Sequence, residues 1–518
     1  LRVIEETRER LREVAGIGPK RAARIHESLT AQKSLQSAMV FLQGHGITPS
    51  QAVRIHKAYG DSAAAVVREN PYRLARDIDG IGFKSADAIA AKFGIAKDSP
   101  VRLEAGLVFV LQEACGDGHV FLPGAELLGK AAEYLGVAAN ALEGPLAALI
   151  EKRAAIREDD AVFLPSMHGA ERGCAELLKR LLRTPCDPVP IHVENALAWV
   201  EKNHKIQLSE EQREAIRKAI GAKVMVITGG PGTGKTTVIN SLLSIFERKG
   251  VSFLLAAPTG RAAKRMEAAT DRPASTIHRL LEFSPRTGTF TRNEGNPIAT
   301  DMLVIDEASM LDITLMHSLL KAAPPFARLI LVGDVDQLPS VGPGNVLFDI
   351  IASGAMPVVR LKTVFRQAAL SGIIANAHRI NEGQFPAFNA KDFFLIERDD
   401  PKSAVETILE LVTNRIPKKF GLDPLRDIQV LAPMRRGEAG VTKLNEMLQQ
   451  ALNPNGTLVP RRTFRKGDKV MQLKNNYELD VYNGDVGVIS LVDSDAGELE
   501  VTFEDGRAAI YRFDETDN

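Results

Sequence analysis

The middle of the chain alternates short apolar runs with stretches of helical periodicity. Four runs, at residues 224–228, 253–257, 302–305 and 329–334, are apolar at nearly every position. This pattern predicts strands of a parallel sheet that is buried on both faces. Behind the first run, residues 238–246 carry apolar side chains at the spacing of a helix that faces a core. Strands that alternate with helices in this way predict an α/β domain.

The first hundred residues follow a different pattern, in which a glycine turn opens a helix. Residues 16–20 and 80–84 are two strong copies, and residues 44–48 are a weaker one because the middle residue is polar. The turn resembles the helix-hairpin-helix module of DNA-repair proteins, whose backbone N–H groups bind a DNA phosphate without reading bases. Tight turns within a helical bundle are the other interpretation, and the sequence leaves both open.

Residues 101–183 predict three helices followed by a hairpin at residues 155–164, which is the pattern of a winged-helix fold. The hairpin is acidic, which favours packing or partner docking over insertion into a DNA groove. Residues 184–195 are a proline-rich linker.

Short strands separated by turn signals begin near residue 463. The segments 468–473, 487–491, 498–503 and 508–513 have the spacing of a small SH3-like barrel.

The totals narrow the class of protein. The chain has 518 residues, of which 45% are hydrophobic and 25% charged, as in soluble globular proteins. The apolar runs are too short to cross a membrane, and the three cysteines (Cys115, Cys174 and Cys186) lack metal-site spacing, which favours a reducing cytoplasm. A net charge of zero neither supports nor excludes a nucleic-acid partner. Because Leu1 is not an initiator methionine, we expect an upstream piece to be missing.

The run of residues 229–237 after the first predicted strand has the composition of a phosphate-binding loop. Its glycines let backbone N–H groups approach an anion, and the helix that follows contributes its positive end. Lys235 is expected to reach the β- and γ-phosphates of ATP, and the Thr236 hydroxyl to ligate Mg²⁺. The predicted nucleotide contacts are Gly230, Pro231, Gly232, Thr233, Gly234, Lys235, Thr236 and Thr237.

Two carboxylates end the strand at residues 302–305, where parallel sheets place active sites. Asp306 is expected to hold Mg²⁺, and Glu307 to orient and deprotonate the attacking water. Gln337, which follows the next strand, is the expected sensor of the γ-phosphate. Ser209 and Gln212 predict a capping box at the start of a helix just ahead of the loop.

Three motifs carry a family resemblance: Pro-Thr-Gly-Arg-Ala-Ala at residues 258–263, Asp-Glu-Ala-Ser-Met at 306–310, and the run 333–344. Together they resemble the RecD-like branch of superfamily 1 DNA helicases over residues 208–514. The N-terminal extension suggests the stand-alone form found outside the RecBCD complex. The resemblance implies two RecA-like motor domains, ATP and Mg²⁺ as cofactors, and 5′-to-3′ movement on single-stranded DNA.

The resemblance also assigns roles to single residues. Gln212 would bind adenine, a role that is compatible with its part in the capping box. Arg366 would reach the γ-phosphate from the second motor domain. An interdomain salt bridge is the alternative role for Arg366. The candidate DNA contacts are Pro258, Thr259, Gly260, Arg261, Thr276, His278, Val341, Gly342, Arg435, Asn475, Asn476 and Tyr477. Arg435 is also a candidate for nucleotide contact, and Tyr477 is either a base-stacking platform or a barrel core aromatic.

The predicted fold class is therefore multidomain, with a tandem P-loop motor between a helical N-terminal region and a small C-terminal barrel. Predicted domains are residues 1–100, 101–183, the linker 184–195, a first motor domain 196–354, an incomplete second motor domain 355–460, and the barrel 461–518. A hairpin insertion at residues 283–297 is either a surface hairpin or the element that separates DNA strands. The expected partners are single-stranded DNA and junctions with a 5′ tail, bound by a monomer.

The chain departs from the family at its end. The family's V-H-x-x-Q-G and A-L-T-R motifs are absent, so we expect this chain to be shorter than the natural protein, with a sheet edge and apolar surface exposed. The sequence also bears on two other functions. A DNA-binding scaffold that uses ATP only as a switch would not need the water-activating Glu307, and no carboxylate cluster outside the ATP site suggests a nuclease.

Overall fold

A computed structural model describes residues 20, 36, 38–78, 80–185, 189–285, 287–364, 371–388, 391–476, 478–479 and 481–516. The chain divides into two compact units. The first contains residues 1–173 with Val341–Gly344, and the second contains residues 174–340 and 345–518. Most of the first glycine turn (residues 16–19), Arg366 and Tyr477 lie outside the described residues.

The N-terminal part of the first unit is helical. Its helices are α1 (Pro49–Tyr59), α2 (Ala63–Glu69), α3 (Arg73–Asp77) and α4 (Phe83–Lys92). The second and third predicted glycine turns each open a helix: Thr48 caps α1 in a capping box with Gln51, and Gly82 is the N-cap of α4. Ile81 in the third turn is buried in the core of this region, so the turn is held from inside the bundle.

The predicted helices and hairpin of the next region are present. They are α5 (Pro100–Gly116), β1 (Phe121–Pro123), α6 (Gly124–Leu135), α7 (Glu143–Glu151), β2 (Ile156–Glu158) and β3 (Ala161–Phe163). The strands form an antiparallel sheet in the order β1–β3–β2. Asp159 turns the β2–β3 hairpin with a positive φ of 51°, a conformation that Asp tolerates better than most residues. Helix α8 (Pro165–Arg183) follows.

A six-stranded parallel sheet is the centre of the second unit, in the order β11–β4–β10–β9–β5–β6. The strands are β4 (Val224–Gly229), β5 (Phe253–Ala257), β6 (Ala274–Thr276), β9 (Met302–Ile305), β10 (Arg328–Gly333) and β11 (Val358–Leu361). A small antiparallel hairpin, β7 (Phe283–Ser284) and β8 (Thr289–Phe290), lies between β6 and β9 in sequence, within the predicted insertion.

The four strands predicted for this sheet are confirmed as β4, β5, β9 and β10. Helices cover the sheet. The helices are α9 (Val193–His204), α10 (Glu210–Gly221), α11 (Lys235–Glu247), α12 (Gly260–Thr270), α13 (Ile277–Leu280), α14 (Ile313–Ala322) and α15 (Val346–Ala352). The apolar side chains of α10 and α11 pack with β4, β9 and β10 into one core, and this burial is the main stabilising contribution.

The sheet extends beyond residue 354, the predicted end of the first motor domain. Strand β11, at residues 358–361, pairs in parallel with β4, from Val358 beside Val226 to Leu361 beside Gly229. The sheet therefore takes its sixth strand from the segment that the sequence pattern assigns to the second motor domain, because a parallel edge strand is defined by its neighbour and not by its own composition.

The region after β11 is helical where it is described. It contains α16 (Gly372–Asn381), α17 (Pro401–Glu410), a π-helical stretch Leu411–Arg415, α18 (Ile416–Phe420) and α19 (Val441–Leu452). Residues 428–432 are mostly apolar, a pattern that predicts a strand of the second motor domain, but this segment is irregular and Leu431 is 87% exposed. No strand is present among the described residues from 371 to 457, and a strand without a neighbour has no ladder hydrogen bonds to stabilise it.

The C-terminal segment contains the predicted short strands, which pair into an antiparallel sheet in the order β12–β13–β14–β15. Its strands are β12 (Lys469–Met471), β13 (Val486–Asp493), β14 (Glu498–Phe503) and β15 (Ala508–Arg512). Ile489, Val501 and Tyr511 are among the residues of its core. Across the described parts of both units, no helix is both long and apolar enough to span a bilayer.

Candidate ATP and DNA site

The phosphate-binding loop joins β4 to α11 at the carboxyl end of the sheet. Gly232 and Gly234 have φ values of 76° and 81°, which side-chain-bearing residues rarely adopt. The buried Thr233 donates its hydroxyl to the Gly230 carbonyl at 2.8 Å, which closes the loop on itself. The loop is therefore held in the strand–turn–helix form that presents backbone N–H groups to an anion.

Lys235 is the first residue of α11, and its ammonium group lies over the loop. Nζ donates to the carbonyls of Gly229 at 2.6 Å and Gly230 at 3.3 Å. Thr236, one residue further along, is exposed at the start of the helix. These two side chains thus lie at the positive end of α11, where phosphate oxygens would compete for the lysine.

Gln212 supports this loop from the neighbouring helix. Its Oε1 accepts a hydrogen bond from the Ser209 N–H at 3.0 Å, which confirms the predicted capping box at the start of α10. Its Nε2 donates to the carbonyls of Thr233 at 3.3 Å and Gly234 at 3.5 Å. Because Gln212 is 1% exposed and engaged at both ends of its amide, its geometry favours a structural role. Contact with adenine stays a prediction.

Asp306 and Glu307 follow β9 beside the loop. Asp306 accepts a hydrogen bond from the Glu307 N–H at 2.9 Å. Burial raises the pKa of Asp306 above its usual range, although that hydrogen bond and the positive charges of Arg265 and Lys235 oppose the shift. A carboxylate beside Lys235, together with the Thr236 hydroxyl, is an oxygen donor set that fits Mg²⁺.

Glu307 adopts a left-handed backbone with φ of 51°, a conformation that is uncommon outside glycine, asparagine and aspartate. Its Oε1 accepts a hydrogen bond from Arg265 Nη2 at 2.8 Å. Its Oε2 is buried and has no hydrogen-bond partner among the described residues. The expected catalytic base is thus held by one arginine and keeps one carboxylate oxygen uncommitted.

Gln337 lies in the loop after β10. Its Nε2 donates to Oδ2 of the buried Asp334 at 3.3 Å, and the other carboxylate oxygen of Asp334 accepts from the Asp336 N–H at 3.1 Å. The Gln337 side chain is exposed. A turn built on Asp334 therefore sets the position of Gln337 beside the strand that neighbours β4.

Arg366 lies outside the described residues, but the structure describes the chain up to residue 364. Glu211 accepts hydrogen bonds from the backbone N–H groups of Lys362 and Thr363 at 3.1 and 2.9 Å. Burial opposes the charge on Glu211, and these hydrogen bonds outweigh it, so that its pKa is lowered. The segment that leads to Arg366 is therefore attached to the start of α10.

The residues 258–261 lie between β5 and α12. Thr259 is the N-cap of α12 and accepts from the Ala262 N–H at 3.2 Å. Gly260 is buried, and a Cβ built on it would lie 2.7 Å from Cβ of Tyr482 in the barrel. Pro258 is half-buried, and Arg261 is exposed without a hydrogen-bond or ion-pair partner in the described part of the chain. Their contact with DNA stays a prediction.

Thr276 and His278 are tied to local structure. The buried Thr276 caps α13 by accepting from the Arg279 N–H at 3.2 Å. The His278 ring packs on the hairpin, with its centroid 5.6 Å from Phe283 and 5.7 Å from Phe290. Burial lowers the pKa of His278. These contacts position the β7–β8 hairpin, while DNA binding by either residue is untested.

The other predicted DNA contacts are spread over several loops. Val341, 92% exposed, and Gly342 belong to the segment grouped with the first unit, and Arg435 is exposed in the irregular segment before α19. Asn475 and Asn476 close the loop that precedes β13: Asn475 Oδ1 accepts from the Asn483 N–H at 2.9 Å, and Asn476 forms a bridge with Val481.

Comparisons with known proteins match four segments of the chain to family models. Family models match residues 2–31 (SAM-like helix-hairpin-helix tandem), 31–121 (ATP-dependent RecD2 DNA helicase HHH domain), 212–343 (AAA domain) and 444–503 (ATP-dependent RecD-like DNA helicase SH3 domain). The chain is 34% identical over 519 residues to the ATP-dependent RecD2 DNA helicase of Deinococcus radiodurans, covering 97% of this chain and 70% of that protein.

The chain belongs to the RecD2 family of ATP-dependent DNA helicases. It is also 34% identical over 318 residues to the RecBCD enzyme subunit RecD of Mycolicibacterium smegmatis, covering 54% of this chain and 57% of that protein. Among solved structures, the Pif1 helicase of Candida albicans matches with 19% identity, covering 59% of this chain and 79% of that one, at a TM-score of 0.32. A structural similarity at this level supports no further conclusion.

Two contacts near the phosphate loop and Glu307 involve residues that the sequence pattern does not single out. One is the Arg265–Glu307 pair, and the other is His378 of α16, which lies against the phosphate loop, 2.8 Å from a Cβ built on Gly230. His378 Nε2 is buried without a hydrogen-bond partner among the residues described. The only sequence signal for Arg265 is its position four residues after Arg261, on the same face of α12.

The barrel contacts α12 directly. Lys264 forms ion pairs with Asp485 at 3.3 Å and Asp505 at 2.5 Å, and Arg279 donates to the Tyr482 hydroxyl at 3.2 Å. Burial opposes ionisation of Asp505, but the hydrogen bonds from Lys264 and Arg507 outweigh it and lower its pKa to about 2. One turn of the barrel, residues 482–485, thus rests on the start of the helix that carries Arg265.

Proposed function

We propose that this ATP-dependent DNA helicase moves 5′ to 3′ along single-stranded DNA and separates the duplex ahead of it. The observation that carries the proposal is the hydrogen bond between Glu307 and Arg265 of α12. Glu307 belongs to the candidate ATP site, and α12 begins within the candidate DNA segment 258–261. Hydrolysis and strand contact therefore share one rigid element.

Nucleotide binding rests on the phosphate loop. Lys235 would exchange the carbonyls of Gly229 and Gly230 for the β- and γ-phosphates of ATP. Thr236 and Asp306 would hold Mg²⁺, which neutralises phosphate charge when bound. Gln212 would keep the loop in shape from below, through its bonds to Thr233 and Gly234.

Hydrolysis needs a base, a sensor and a counter-charge. Glu307 orients the attacking water and accepts its proton, and its uncommitted Oε2 is the atom suited to this role. Gln337 contacts the γ-phosphate from its turn on Asp334 and transmits its loss to the neighbouring loop. Arg366 supplies positive charge to the transition state from the far side of the cleft.

The DNA strand moves because the two motor domains bind it alternately. Closure around Mg-ATP shifts the DNA between the segment 258–261 and the second motor domain, and release of ADP and phosphate reopens the cleft. The β7–β8 hairpin, supported by His278, separates the strands at the fork. The substrate is single-stranded DNA with a 5′ tail beside a duplex, bound by a monomer in the cytoplasm during repair or recombination.

The direct test is an unwinding assay on three labelled substrates with a 5′ tail, a 3′ tail or blunt ends. We expect ATP- and Mg²⁺-dependent strand release from the 5′-tailed substrate alone. Equal release from the 3′-tailed substrate would contradict the proposed polarity, and absence of DNA-stimulated phosphate release would contradict the motor itself.

Two variants separate the steps. Lys235→Gln should bind the 5′-tailed substrate normally but neither hydrolyse ATP nor unwind, because it loses the charge that holds the phosphates. Deletion of residues 285–292 should retain DNA-stimulated ATPase activity and lose strand separation. Intact unwinding by either variant would refute the role assigned to the altered element.

A further inference from the structure

The pair formed by Arg265 and Glu307 is markedly asymmetric in exposure. The Arg265 side chain is 74% exposed, whereas that of Glu307 is 13% exposed. The two groups meet through a single hydrogen bond of 2.8 Å. The arginine can therefore turn to another anion in solution at little desolvation cost, while the glutamate cannot leave its place between β9 and α12.

Arg265 lies on the same face of α12 as Arg261, which belongs to the candidate DNA-binding segment 258–261. Arg261 precedes it by one helical turn, so both guanidinium groups project from the same side of the helix. Both are exposed, and Arg261 has no hydrogen-bond or ion-pair partner within the described ranges. Two exposed arginines one turn apart match successive phosphates of a nucleic-acid backbone, which guanidinium groups bind in bidentate fashion.

Glu307 has little freedom other than rotation of its carboxylate. Its backbone is fixed by a left-handed φ of 51° and by the hydrogen bond from its N–H to Asp306. With Oε1 bonded to Arg265 and Oε2 buried without a partner in the described structure, the carboxylate is oriented by the arginine alone. While that bond lasts, it opposes the rotation of the carboxylate that would aim the partnerless Oε2 at a water molecule beside the phosphate loop.

We propose that Arg265 is a positioning residue that couples DNA occupancy to ATP hydrolysis. In the DNA-free protein it holds Glu307 in a resting orientation. When single-stranded DNA lies along α12, a backbone phosphate takes the guanidinium, and Glu307 is released to orient water beside the γ-phosphate. This inference rests on the proposed function and adds the contact by which DNA stimulates the ATPase.

The test measures steady-state ATP hydrolysis at saturating ATP, with and without a saturating oligothymidylate of about 20 nucleotides. Arg265→Ala should raise the DNA-free rate about fivefold, the factor expected for loss of a pair worth about 1 kcal/mol. The DNA-stimulated rate should stay within about twofold of the parent, so the stimulation ratio falls. Arg265→Lys keeps the charge and should restore part of the ratio.

Arg217→Ala is the matched control. Arg217 forms ion pairs of 2.9 and 2.6 Å with Glu194 on α9 and Glu210 on α10, and its removal should change neither rate. Urea unfolding followed by fluorescence of Trp199, the single tryptophan of the chain, checks that both variants are folded.

A second measurement reports on the phosphate that Arg265 is proposed to bind. The salt dependence of oligothymidylate binding, measured by fluorescence anisotropy, should lose about one unit of slope in Arg265→Ala. An unchanged slope, an unchanged DNA-free rate, or a parallel fall of both ATPase rates would each overturn the proposal while leaving the helicase assignment intact. A parent protein whose ATPase does not respond to DNA would overturn both.

Discussion

Replacing Gln212 with alanine tests what this residue does. The change removes the acceptor for the Ser209 N–H and the donor to the carbonyls of Thr233 and Gly234. The Ser209 hydroxyl still caps α10, but the lost hydrogen bond from the Ser209 N–H and the lost buried bonds to the loop carbonyls cost about 1 kcal/mol each. We therefore expect the free energy of unfolding of this lobe to fall by about 2 kcal/mol.

Trp199 makes the loss measurable, because it packs against the core of the same lobe and is the single tryptophan of the chain. With a urea slope of about 2 kcal/mol per molar, the midpoint of the fluorescence transition should shift down by about 1 M. The affinities for fluorescent ATP and GTP analogues should both fall by about fivefold, since the phosphate loop contacts the phosphates and does not distinguish the two bases.

Gln212→Glu is the matched variant. Glutamate can still accept from the Ser209 N–H, as in the usual capping box, but it cannot donate to the Thr233 carbonyl. It should keep the cap and lose the loop contact, with about half the stability loss of the alanine variant. If instead ATP binding alone weakens tenfold, with GTP binding and the urea midpoint unchanged, Gln212 grips adenine and the structural reasoning is refuted.

Three further changes probe the fold. Arg328→Met removes a buried guanidinium that donates to two backbone carbonyls, and should lower the Trp199-monitored unfolding free energy by about 3 kcal/mol; a loss under about 1 kcal/mol would contradict this. Asp505 has a folded-state pKa lowered to about 2, so its contribution to holding the barrel turn is complete above pH of about 4 and disappears as pH falls toward 2. In Asp505→Asn, hydrogen exchange at residues 482–485 should be faster at pH 7 and lose this pH dependence. Tyr72→Phe removes an O–H that donates to Asp87 at 2.7 Å, and should cost the first unit about 1 kcal/mol in thermal unfolding; an unchanged midpoint would show that this bond adds nothing.

Two large apolar side chains in the segment after β11 are exposed. Phe385 and Leu431 are 79% and 87% exposed. The described residues between 371 and 457 form helices and irregular segments. An apolar run is not enough to form a strand, because sheet formation depends on partner strands that composition does not reveal.

The amino-acid sequence by itself determined the features whose partners are close along the chain. The phosphate loop, the capping box of Ser209 and Gln212, the acids after β9 and the strands of the barrel all depend on contiguous residues, because turns, caps and strand burial are set by local backbone preference and periodicity. These patterns were sufficient for the fold class and for the local geometry of the phosphate loop.

Only the tertiary structure decided which distant side chains meet. Arg265 and Glu307 are 42 residues apart in sequence, and Arg279 and Tyr482 are 203 apart. The edge position of β11 and the burial of Gly260 under Tyr482 are equally invisible in the local pattern. Periodicity tells which face of an element is buried but not what covers it, since that choice is made by the packing of whole elements against one another.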